Sequence, residues 1–153
     1  MKTSHALLLA IVGACGLGLG QAMAATPATG LGQAVPATTD VSVSPSWHVY
    51  VFSIGGVRYI QVNDLSHNVL GAVGTASGQY ITLPVGLFSQ QVATPQQSAS
   101  APSTAAPTAA PTTVYNDGTT QVTATPLADG TTALVAAQSQ QMCDPVDCNL
   151  KGP

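Results

Sequence analysis

Charge is nearly absent from this sequence. Three Lys or Arg and six Asp are all that its 153 residues carry, 6% of the chain, and Glu does not occur; soluble domains usually carry roughly 25%. A nucleic-acid binder needs a basic stripe to replace phosphate counterions. Lys2, Arg58 and Lys151 are scattered from end to end, so nucleic acid is excluded as a partner. Paired-carboxylate catalysis has only Asp40, Asp64, Asp117, Asp129, Asp144 and Asp147 to draw on. No catalytic or metal-site motif such as Gly-x-Ser-x-Gly or His-Glu-x-x-His is present, no cofactor is expected, and no Asn-x-Ser/Thr sequon occurs.

Long apolar runs are equally scarce. The one example, Ala6 to Leu19, is 14 residues, short of the roughly 18 that span a bilayer. Lys2 before it and Ala22-Met23-Ala24 after it complete an export signal with cleavage expected after Ala24. The chain is therefore expected to be exported by a bacterium, to the periplasm or the exterior, with no integral membrane segment. Val12-Gly13-Ala14-Cys15 offers the competing outcome, lipid anchoring through Cys15, with Val where lipoboxes usually have Leu.

Of three cysteines, Cys143 and Cys148 follow the expected cleavage point. An even number in an oxidising compartment predicts one disulfide. It would close a local loop over Asp144-Pro145-Val146-Asp147 and remove little chain entropy. A redox pair normally has two intervening residues, and structural zinc needs four ligands.

Composition divides what remains. Residues 25–45 are rich in Ala, Thr, Gly, Val and Pro, with one charge and no ring, and are expected to form a flexible leader. Residues 46–88 hold Trp47, Tyr50, Phe52, Tyr59, Tyr80 and Phe88, so the small β domain belongs there. Residues 89–113 contain neither a charge nor a ring; Pro, Ala, Thr, Ser and Gln dominate, which predicts a disordered linker. Residues 114–138 repeat Asp-Gly-Thr-Thr with a period of 12, one strand plus one turn, which predicts β-hairpins. The tail 139–153 carries the disulfide loop.

The strands follow from pattern. Trp47–Ile54 and Val57–Val62 are rich in β-branched and aromatic residues, and Gly55-Gly56 between them signals a two-residue hairpin. That register pairs Ile54 with Val57 and Phe52 with Tyr59. It places Trp47, Val49, Val51, Ile60 and Val62 on one face and Tyr50, Phe52, Ile54, Val57 and Tyr59 on the other. A second hairpin, Val69–Gly74 to Gln79–Leu83, extends the meander to four strands. The expected fold is mainly β: a small antiparallel meander with C-terminal hairpins, flanked by disordered Ala/Pro/Thr-rich segments. A sheet apolar on both faces needs two coverings, and about 43 residues is near the lower limit for independent folding. The C-terminal hairpins or a second copy are the candidate covers.

Few residues suggest chemistry. The register sets His48 opposite Asn63, so His48, Asp64 and His67 are the one imidazole–carboxylate grouping. They offer three candidate metal ligands or a catalytic arrangement with Ser46 or Ser66. The plainer reading is a polar turn whose Asp and Asn bond their own backbone, and no metal site is assigned. Arg58 follows the Gly-Gly turn as an edge residue or a carboxylate anchor. Ser77-Gly78-Gln79-Tyr80 resembles the Ser-Gly-x-x-Tyr loop of bacterial periplasmic lysozyme inhibitors with one residue fewer; the likeness covers four residues and carries no role across. The sequence thus predicts a non-catalytic binding or assembly module of the envelope or exterior, contacting its partner, or itself, through Tyr50, Phe52 and Tyr59. The alternatives are a small inhibitor of an exported hydrolase such as lysozyme, and a small enzyme using His48, Asp64 and His67.

Overall fold

Two four-stranded sheets carry the chain in the computed structural model, which describes residues 30–139. The first is a meander of β1 (His48–Ile54), β2 (Val57–Asn63), β3 (Val69–Ala76) and β4 (Gln79–Leu83). The second contains β5 (Val92–Ala93), β6 (Thr112–Asn116), β7 (Thr120–Pro126) and β8 (Thr132–Gln138), in the order β5-β8-β7-β6. All neighbours are antiparallel except β5 and β8. The expected mainly β fold with C-terminal hairpins is what forms. The signal residues Ala22 and Ala24, Cys15, and the Cys143–Cys148 pair lie outside the described residues.

Turn chemistry sets the register. Gly55 and Gly56 both adopt positive φ, 56° and 81°, the geometry whose twist matches that of flanking strands. Ile54 pairs with Val57 and Phe52 with Tyr59, as the sequence predicts. In the second hairpin β3 runs on to Ala76, and the turn contracts to Ser77 and Gly78, again at positive φ. Asp117-Gly118 and Asp129-Gly130 both form turns closed by the Asp carboxylate. Asp117 Oδ1 accepts from the backbones of Thr119 and Thr120, and Asp129 Oδ1 from the backbone and hydroxyl of Thr131.

The sheets pack face to face. Val49, Ile60, Val62, Leu70 and Val73 of the first bury against Val92, Val114, Val122, Ala124, Leu134 and Ala136 of the second. Gly71 marks the closest approach: a Cβ there would lie 2.8 Å from side-chain atoms of both Leu134 and Val92. Closure by the C-terminal hairpins supplies one of the two coverings the first sheet requires.

The expected linker is corrected. Residues 89–113 form a 3-10 turn at Ser89–Gln91, then β5, and later the start of β6. Val92, their one aliphatic residue beyond Ala, is fully buried in the core. Thr108 N donates to Pro126 O and Ala128 N to Ala106 O, which lays the Pro-rich stretch along the β7–β8 turn. Its glutamines serve the sheet edge: Gln96 Oε1 accepts from Tyr80 N and Gln97 Oε1 from Thr82 N. Composition counted apolar side chains and missed these backbone and amide bonds.

The leader is corrected likewise over residues 30–45. It supplies the second covering, crossing the outer face of the first sheet. Gln61, buried on that face, accepts from Gly32 N at 2.6 Å and donates to Gln33 O at 2.9 Å. Asn63 donates to Ala34 O at 2.9 Å. The leader then seals one side of the sandwich, since Val41 N donates to Val49 O of β1 and Val43 N to Val114 O of β6.

Candidate functional site

The predicted contact face is not free. Tyr50 and Phe52 are only 5% and 7% exposed, and Phe52 lies against the leader, its ring 3.2 Å from where a Cβ on Gly30 would sit. Tyr59 is half-buried beside Gly74 and Ile81. Phe52 is covered by the leader around Gly30, and Tyr50 lies where the leader bridges to β1 at Asp40.

His48 and His67 do come together, with ring centroids 4.7 Å apart and planes 14° from parallel. Asp64 does not join them. Its carboxylate accepts from Ser66 N, Asn68 N and Asn68 Nδ2, the capped polar turn the sequence suggested. Partial burial raises its pKa, but these bonds outweigh that and leave it below the ordinary value. The partner of His48 is Asp40, overlooked in the sequence: His48 Nδ1 donates to Asp40 Oδ2 at 2.7 Å. Asp40 Oδ1 also accepts from Val49 N and Ser42 N. Burial pushes the Asp40 carboxyl up, and the bonds from Val49, His48 and Ser42 bring it below the usual value. As the one charge in the leader, eight residues before His48, Asp40 was the available signal. Among the described residues no group of three or more His, Cys, Asp or Glu is placed to hold a metal ion. Nor is any described helix long and apolar enough to cross a membrane.

A different site emerges at the opposite end of the sandwich, from residues whose alternation places them inside it. Val49 and Val51 face inward, so Ser53 does too; Ile60 and Val62 face inward, so Arg58 does too. The register continues this row through Thr75 to Tyr80. On the facing sheet, Thr120 pairs with Gln138 in the row beyond Val122 and Ala136. The last layer between the sheets is therefore polar where the layers below are aliphatic.

That layer opens into a cleft of about 520 Å³, bounded by the Gly55-Gly56, Ser77-Gly78 and Asp117-Gly118 hairpin tips. Its floor is Tyr80, 3% exposed, whose hydroxyl is 3.2 Å from Thr120 Oγ1. Among the described residues Arg58 is its one charged lining residue, and the Arg58 guanidinium donates to Asp117 Oδ2, tying the first hairpin tip to the third. Tyr115 donates its hydroxyl to the same oxygen. Partial burial raises the Asp117 carboxyl, but the backbone N–H groups of Thr120 and Thr119 and the hydroxyls of Thr119 and Tyr115 prevail and hold it at about 2. Ser77 and Gly78 rim the cleft, whereas Tyr80, the other half of the inhibitor-like tetrapeptide, is buried. No family model, curated protein or solved structure matches the chain.

Proposed function

We propose that this chain is an exported, non-catalytic binding module that meets its partner at the polar end of the sandwich. One observation carries the reading: inward positions between two packed sheets are ordinarily apolar, and here the end layer of Ser53, Arg58, Thr75, Thr120 and Gln138 is polar around an open cleft. Hydroxyls and amides at that position contribute little to a core, and loop ends of rigid sandwiches are common contact sites. The described lining residues include no His, Cys, Asp or Glu to serve as a general base, which favours binding over catalysis. Export rests on the signal read in residues 1–24, and the covered edges of β1, β4 and β6 favour contact through the cleft over strand pairing there.

The test is retention of the purified mature protein on envelope material from the cells that export it. Ser53→Trp would fill the cleft from an exposed strand position; Thr112→Trp, at the far end of β6, is the control. At least tenfold weaker retention of the first variant, with the second unchanged, is expected. Equal retention of Ser53→Trp and the parent chain would remove the cleft from the account.

A further inference from the structure

We infer that the ligand taken in this cleft is a neutral saccharide, an inference that rests on the cleft being the contact site. The argument proceeds from what the lining offers and what it withholds. Thr119 and Ser139 also line the cleft, but their hydroxyls already donate to Asp117 Oδ1 and Asn116 Oδ1; Ser53, Thr75 and Ser77 present hydroxyls, and Gln138 an amide, that no described residue engages. Each can donate and accept, which matches a ligand whose own groups do both at closely spaced positions. An acidic ligand would need a free cation. Arg58, the one candidate among the described lining residues, is engaged by Asp117, which is held ionised by the turn around it. A basic ligand would need a carboxylate in the lining, and the described lining has none.

Peptide recognition uses either an open strand edge or apolar pockets for side chains. The edge of β4 is occupied, with Tyr80 N and Thr82 N bonded to Gln96 and Gln97. The opposite side is closed by Val41 and Val43 on β1 and β6. Within the cleft the aromatic side chain is buried as floor, its hydroxyl already paired with Thr120, so it is not a socket for an apolar side chain. The volume, about 520 Å³, falls within the roughly 300 to 1,000 Å³ of small-ligand sites.

The experiment is a titration of the isotope-labelled mature protein, followed by amide resonances. The probes are a neutral gluco-oligosaccharide, a neutral N-acetylglucosamine oligomer, an oligogalacturonate and an uncharged Ala/Ser/Thr peptide. Saturable shifts with at least one neutral saccharide, confined to Gly56, Gly78, Gly118 and their neighbours, are expected. Ser53→Trp and, as a milder change at an exposed strand end, Gln138→Ala should each weaken that binding at least tenfold and threefold respectively. Cleft resonances that ignore both neutral saccharides, or that move with the peptide or the oligogalacturonate instead, would overturn the inference. Envelope retention separates the two claims: if Ser53→Trp abolishes retention while no neutral saccharide binds, the ligand class is wrong and the contact site stands. If retention is also unchanged, both fall.

Discussion

Gln61 holds three groups with one amide: Gly32 N, Gln33 O and Asn63 Oδ1, the last at 2.9 Å. Buried polar groups left without a partner cost about 1–3 kcal/mol, so Gln61→Leu, similar in volume, should destabilise the chain by about that amount. The urea midpoint should fall with little change in slope, and limited proteolysis should cut first within residues 30–36; an unshifted midpoint would show that the leader is held by other means. Asp117 predicts an acid limb. Its carboxyl sits at about 2 when folded against an ordinary value of 3.8. The contribution is therefore fully present above the ordinary value and is lost as pH falls toward 2. The difference sets an upper bound of about 2 kcal/mol, and solvent screening at this exposed turn leaves a smaller contribution. Asp117→Asn should flatten the stability profile between pH 4 and 2, and a profile parallel to that of the parent chain would contradict the assignment.

At the scale of elements, the legible parts were those specified by local chemistry. Gly55-Gly56 fixed the first hairpin to the residue because both glycines take positive φ, and the Asp-Gly repeat marked its turns because Asp accepts from the backbone just beyond it. The hairpin tips of the candidate site were thus readable one by one. Their convergence was not, since it depends on how two sheets stack across long sequence separations. Ser53 and Arg58 did break an inward apolar pattern, and that break was the signal available for the site. β5 was hidden because its partner, β8, lies 42 residues away in parallel and its own sequence is Val-Ala amid Thr, Pro and Gln. The edge glutamines yield a prediction. Removing the side chains that cap Tyr80 N and Thr82 N exposes an unpaired strand edge, and open edges recruit other chains. Gln96→Ala/Gln97→Ala should raise the weight-average mass by light scattering at concentrations where the parent chain stays unchanged. A mass equal to that of the parent chain would show that the edge needs no cap.

For the whole molecule, the low charge and the Ala/Pro/Thr-rich composition suggested a small domain with loose attachments, whereas residues 30–139 form one closed sandwich. Leader, strand edges and Pro-rich crossing each bond to a sheet, and the apolar layer draws on both sides of residues 89–113. Neither sheet can bury its inner face without the other, so the two should unfold together. The most direct test is equilibrium urea unfolding of the mature chain, followed at once by Trp47 fluorescence, beside the first sheet, and by the methyl resonances of Leu134 in the second. The account predicts coincident transitions with a single midpoint. Two separated transitions, with Leu134 losing its native environment while Trp47 keeps its own, would contradict a shared core and with it the cleft that the two sheets enclose.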